Sequence, residues 1–148
     1  MVRKIKSNSI YIDANVLINY CTQQPSDYQE LKRLFSVQSN SVLHTSNLAI
    51  VQAIAKLQTV GRNRPPMPTD EIKKYIKYFY THIKVYEVKN KDVKEAMDYP
   101  GTKDLEDNIH FIVSQRLGCD TILTNNKKDF SQYNITIRVP RKLKYNSK

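Results

Sequence analysis

Short β-branched runs alternate along the chain with longer stretches whose apolar residues recur every three or four positions. The short runs are 9–13 (SIYID), 42–45 (VLHT), 84–88 (KVYEV), 121–124 (TILT) and 135–139 (ITIRV). They are rich in Ile and Val and mostly bounded by polar residues, which predicts strands. The intervening stretches predict helices. Ser26 and Asp27 are placed to cap a helix through about Val37, with Leu31, Leu34 and Phe35 on one face. Thr45 or Ser46 is placed to cap another, carrying Leu48, Val51, Ala55 and Leu57. Thr69 and Asp70 open a third, with Ile72, Ile76, Phe79 and Ile83 as its buried stripe. Asp104 opens a fourth that runs to Leu117 and stops at Gly118, a C-terminal signal.

Strands alternating with helices predict an α/β fold: a mostly parallel central sheet of about five strands, flanked by helices on both faces. The stretch 61–68 (GRNRPPMP) is the clearest loop. It reads as a surface connection, because neither half of the chain could bury a core alone. The expectation is one domain over residues 1–148, the size of an ordinary single domain, with a basic tail from about residue 138. That tail carries Arg138, Arg141, Lys142, Lys144 and Lys148 and no acid. It reads as a solvated end or as an arm for a nucleic-acid backbone.

Charge narrows the class of partner. The net charge is +10 and the pI about 9.6, a balance that points to a polyanion. Cys21 and Cys119 show no CxxC spacing and lie in apolar contexts, so they read as small core hydrophobes. His44, His82 and His110 form no HExxH-like pair. Gly61, Gly101 and Gly118 are the only glycines, and no GxGxxG or P-loop cradle exists. No apolar run reaches membrane-span length, and the basic N-terminus lacks the apolar stretch of a signal peptide, so a cytoplasmic protein is expected.

The acids fall at informative places. Asp13 closes the first strand and is followed by Val16, Leu17 and Ile18, a near-core setting where an unpaired charge is costly. Asp129 follows the TILT strand after a short turn. Asp104 and Asp107 stand three apart in the first turns of one helix and so share a face. In open α/β sheets functional groups collect beyond the C-terminal strand ends, and all four acids reach one sheet edge. Clustered like charges call for a cation, and Mg²⁺ or Mn²⁺ prefers oxygen donors. Bland roles compete: Asp104 as an N-cap, Asp129 as a turn residue. An Asp13 phosphatase is disfavoured, since no acid stands two residues on, at Asn15.

The segments IYIDANVLINY, TSNLAIVQAI and DLEDNIHFIVSQRLGCDTILTNNKKDF resemble the PIN-domain family in order and spacing. The matching positions are Asp13, Asp107, Gly118, Thr124, Asn126, Asp129 and Phe130. Asp104 matches an extra acid found one turn earlier in some members. One position departs from the pattern: the family's second-helix glutamate is Gln52 here, a neutral residue that cannot supply anionic charge. The resemblance implies a PIN-like three-layer sandwich and a metal-dependent ribonuclease. Asp13, Asp107 and Asp129 would be the catalytic acids and would hold Mg²⁺ or Mn²⁺, with help from Asp104. Ser46 and Asn126 would orient ligands from behind. It further implies a VapC-type toxin, built as a homodimer and paired with a small antitoxin protein.

Lys73 and Lys77 lie opposite the apolar stripe of their helix, and Arg62 and Arg64 lie in the proline-rich loop. All four are candidates for RNA phosphate. His110, one turn after Asp107, is near enough to touch the site, though packing alone also accounts for it. The competing class is a catalytically weak or inactive PIN domain that binds RNA or protein, and Gln52 is the residue that favours it.

Overall fold

The computed structural model describes residues 8–36, 39–61, 63–100 and 104–140. Five strands form one parallel sheet: β1 (Ser9–Ile12), β2 (Val42–Ser46), β3 (Lys84–Tyr86), β4 (Thr121–Leu123) and β5 (Thr136–Arg138), in the order β3-β2-β1-β4-β5. The five predicted strands are therefore present, each shifted by no more than two residues at an end. Among the described residues seven helices accompany them: α1 (Ala14–Cys21), α2 (Pro25–Leu34), α3 (Asn47–Leu57), α4 (Thr69–His82), α5 (Asn90–Asp98), α6 (Leu105–Arg116) and α7 (Lys127–Phe130).

Strand β1 is central, and Ile10, Tyr11 and Ile12 are fully buried. Successive side chains of a strand point to opposite faces. Ile10 and Ile12 accordingly join the core made with α1 to α4, while Tyr11 joins the other core, which holds Ala96 of α5, Phe111 of α6 and Phe130 of α7. Helices thus cover both faces, and the sheet is the middle of three layers. Strand order reverses at β1, which sits between β2 and β4. The crevice at such a reversal, beyond the strand C-termini, is where this architecture places ligands.

Helix α6 ends as its sequence predicts. Gly118 takes φ +69°, its N–H donates to the Gln115 carbonyl, and the Cys119 N–H donates to the Ser114 carbonyl at 2.9 Å. These two bonds form a Schellman motif, which turns the chain directly into β4.

Three local expectations need correction. Helix α2 begins at Pro25 after Gln24, without a side-chain cap. Asp27 is instead buried, accepting from Asn19 and Asn125 side chains as a tertiary tie. Helix α3 buries Ala49, Ile50, Ala53 and Leu57, leaving Val51 and Ala55 exposed. Its sequence is apolar nearly all round, so periodicity could not choose the face; packing on α1 did. Helices α1, α5 and α7 are additional to the predicted set, and α5 is polar enough that only Ala96 and Asp92 are buried. Cys21 and Cys119 are free and buried, as expected. Among the described residues no helix is long and apolar enough to cross a membrane.

Candidate functional site

Asp13 sits at the junction of β1 and α1. Its backbone N–H donates to the Leu123 carbonyl of β4 at 3.0 Å, which fixes it at the strand reversal. Its Oδ1 accepts the Ala14 N–H at 2.7 Å, capping α1. Its Oδ2 accepts from Thr124 Oγ1 at 2.8 Å and from Asn15 Nδ2 at 2.9 Å. These donors offset the cost of burying the carboxylate, which is only 5% exposed.

Asp107 stands on the first turn of α6 and is also buried, yet its Oδ2 has no hydrogen-bond partner among the described residues. Burial pushes the carboxyl up to about 7, with further contributions from the charges of Asp104, Asp13 and Asp129. Those contributions gather the four sequence-predicted acids into one electrostatic group. They are not equivalent. Asp104 is exposed, and as the N-cap of α6 its Oδ1 accepts the Asp107 N–H at 3.0 Å. Asp129 is exposed on α7. It lines a neighbouring depression with Asn125, Asn126 and Lys128, rather than the cleft lined by Asp13, Asp104 and Asp107.

The acidic cleft has a volume of about 480 Å³, similar to the depression at Asp129. Asp13, Asp104, Glu106 and Asp107 form its acidic side, and Gln52 and Lys56 of α3 also line it, with Thr59 just beyond the helix. Asn126 borders both this cleft and the depression at Asp129. Ser46 is fully buried beneath the cleft, where its Oγ caps α3 by accepting the Ala49 N–H at 3.2 Å.

A buried polar chain runs under the cleft. Ser46 Oγ lies 2.8 Å from the Tyr11 hydroxyl, which lies 2.6 Å from His110 Nδ1. On the other side of the ring, Nε2 is 2.8 Å from Gln52 Oε1 and 3.7 Å from Asp13 Oδ1. Burial lowers the His110 pKa, against the pull of the Asp13 charge. His110 therefore does touch the site. Tyr11 and Glu106 are site residues that sequence reasoning missed, and so is Lys56. Lys56 could have been found as the i+4 neighbour of Gln52, but Tyr11 reads simply as a strand aromatic.

The basic residues separate by place. Lys73 and Lys77 are exposed on α4, and neither lines the acidic cleft. Arg64 is folded back, donating to the Lys56 carbonyl at 3.1 Å and to the Pro65 carbonyl at 3.3 Å, so it is not the free loop cation expected. Arg62 and the tail beyond Pro140 lie outside the described residues.

The donor set suits a hard divalent cation: carboxylate oxygens, one of them buried and without a partner. Among the described residues, however, no three His, Cys, Asp or Glu side chains stand together as a finished metal cage. Mg²⁺ commonly retains several waters and takes only one or two carboxylates from the protein, so an incomplete protein shell is compatible with the donor chemistry.

No protein-family profile matches the sequence, and no curated protein matches it. Solved structures do. The VapBC2 complex of Rickettsia felis, bound to a promoter DNA fragment, matches at TM-score 0.64 and 13% identity, over 88% of this chain and 98% of that one. FitAcB of Neisseria gonorrhoeae matches at TM-score 0.61 and 12% identity, over 90% and 99%. VapC20 of Mycobacterium tuberculosis, a sarcin–ricin-loop-cleaving toxin, matches at TM-score 0.58 and 16% identity, over 76% and 86%. At such identities what is shared is the fold, and this chain has the PIN-type fold of the VapC toxins.

Proposed function

We propose that this protein is a metal-dependent endoribonuclease that hydrolyses RNA phosphodiesters, acting as the toxin of a toxin–antitoxin pair. The observation that carries the reading is the buried, unpartnered Asp107 Oδ2 beside Asp13 at the strand reversal. A carboxylate held there without a hydrogen-bond donor calls for a cation. Asp13 and Asp107 would hold Mg²⁺ or Mn²⁺, with Asp104 and Asp129 supplementing them from the rim. Such an ion, when bound, supplies Lewis-acid polarisation of a phosphoryl oxygen and a more acidic water.

The chain's own residues perform the remaining work. Thr124 and Asn15 orient Asp13 by their hydrogen bonds to Oδ2. Asn126, on the border of the cleft, is placed to orient substrate or solvent. Lys73, Lys77 and the net charge of +10 favour RNA in a salt-dependent manner. The antitoxin partner is supported by structural neighbours described as toxin–antitoxin complexes, including one from Klebsiella pneumoniae. A homodimer and a cytoplasmic site of action complete the proposal.

The test compares wild type with Asp13→Asn on structured and single-stranded RNAs, with Mn²⁺ or with chelator. Loss of one anionic ligand removes several kcal/mol of transition-state stabilisation, so cleavage should fall by more than roughly a hundredfold. Cleavage that survives both Asp13→Asn and chelation rejects the metal site. A protein that binds RNA but cuts none, until Gln52→Glu is introduced, is a binding module.

A further inference from the structure

The direction of the hydrogen bonds around His110 determines what Gln52 offers to the cleft. The Tyr11 hydroxyl is fully buried between Ser46 Oγ and His110 Nδ1. Ser46 donating to the Tyr11 oxygen and the phenol donating onward to Nδ1 gives every hydroxyl proton of the chain an acceptor, whereas the reverse order leaves the Ser46 proton without one among the described residues. Nε2 therefore carries the ring proton, consistent with the Asp13 carboxylate oxygen 3.7 Å away. An N–H at Nε2 requires an acceptor, and that acceptor is Gln52 Oε1 at 2.8 Å. This orientation holds even if Nδ1 were also protonated, because Nε2 would still be a donor.

With Oε1 turned inward, the amide nitrogen of Gln52 is left without a protein partner among the described residues. Gln52 lines the cleft, and so does Lys56, one helical turn further along α3. An N–H₂ group and an ammonium are groups for an anion, not ligands for a cation. Asp13, Asp104 and Asp107 line the same cleft with the opposite charge. On the reading that RNA is the substrate, we propose that Gln52 donates hydrogen bonds to a phosphodiester oxygen of the RNA, beside Lys56. His110 is the positioning residue that turns the amide outward. The glutamine is then a substrate contact, where a glutamate would repel the phosphate.

The experiment uses the full chain, a fluorescein-labelled RNA hairpin in chelator, and Mn²⁺ titrated separately by calorimetry. Gln52 is half-buried on a helix face, and Gln52→Ala also removes the acceptor of the buried His110 Nε2–H. The denaturation midpoint of each variant is therefore measured alongside, and binding is compared under conditions where variant and wild type are both folded. One hydrogen bond to a charged group should be lost, lowering RNA affinity roughly tenfold or more, while Mn²⁺ affinity stays within about twofold. Gln52→Glu should weaken RNA binding further. In a long-range proton–nitrogen spectrum of the imidazoles, assigned through His44→Asn and His82→Asn, the proton of His110 should sit on Nε2. A proton on Nδ1 alone would reverse the amide and overturn the proposal. So would loss of Mn²⁺ affinity in Gln52→Ala, which would make Oε1 a ligand. RNA bound and cleaved by wild type, with affinity indifferent to Gln52→Ala, overturns this proposal but leaves the nuclease reading standing. Wild type that neither binds nor cleaves RNA removes both.

Discussion

Asp104 accepts the backbone N–H of Asp107 through Oδ1 at 3.0 Å, so one acid of the cleft caps the helix that carries the other. Asp104 is thereby committed to structure at one oxygen, while Asp107 keeps a buried oxygen, Oδ2, without a donor among the described residues. The same proximity makes the Asp104 charge the largest influence on Asp107 after burial.

This has a consequence for pH. The Asp107 carboxyl is raised from 3.8 to about 7 by burial and by its acidic neighbours. Between those values the native protein holds a proton that the unfolded chain has released. The unfolded state therefore binds fewer protons, and stability falls as pH rises through this window, by at most about 1.4 kcal/mol per pH unit. Chemical denaturation of the metal-free protein should show this decline from pH 4 to 7, levelling above it. Asp107→Asn should flatten the curve, and Mn²⁺ should stabilise wild type most at the upper end. A flat wild-type curve would mean that Asp107 is ionised throughout.

Thr124 fixes the Asp13 carboxylate: its hydroxyl donates to Oδ2 at 2.8 Å and accepts the Asn126 N–H at 3.0 Å. Thr124→Val keeps the shape and removes these bonds, together with the one the hydroxyl accepts from Asn15 Nδ2 at 3.2 Å. Outer partners of metal-binding carboxylates are typically worth 10–100-fold. Mn²⁺ affinity measured by calorimetry should fall by roughly that factor in this variant, with the far-ultraviolet spectrum unchanged. Unaltered affinity would show that Asp13 needs no such support.

Tyr11→Phe removes a hydroxyl that bridges Ser46 and His110 in a fully buried position. His110 Nδ1 loses its hydrogen-bond partner at a buried site, at a cost of about 1–3 kcal/mol. Denaturant titration should shift its midpoint accordingly without a change in slope. A neutral effect would mean that water replaces the phenol oxygen.

At Gly118 the φ of +69° is the constraint, since a Cβ placed there would meet no atom within 4 Å. Gly118→Ala should cost about 1 kcal/mol through backbone conformation alone. For a chain of this size that lowers the melting temperature by roughly 2–4 °C. A loss several times larger would point to a steric conflict instead.

Much of the frame was legible in the chain itself. The strands were readable because a parallel sheet buried on both faces demands continuous β-branched runs, and IYI, TIL and ITI supply them. Asp13 stood out because a charge beside such a run has to be accounted for. The Asp104 cap and the Gly118 stop follow from local backbone geometry, which depends on near neighbours in sequence.

The buried face of α3 was not legible, because its sequence is apolar nearly all round. Asp27 read as a cap and proved to be a tertiary tie, since Asn19 and Asn125 reach it only in the folded chain. Polar α5 gave too weak a pattern to detect. The sequence by itself determined the alternation of strands and helices and the acids at the strand ends, because both follow from periodicity and local burial cost. Tertiary structure alone decided that Asp107 Oδ2 has no donor among the described residues while Asp13 is well supplied. It also decided that Gln52 is held by His110, 58 positions away. Hydrogen-bond partners brought together by the strand reversal have no fixed spacing along the chain.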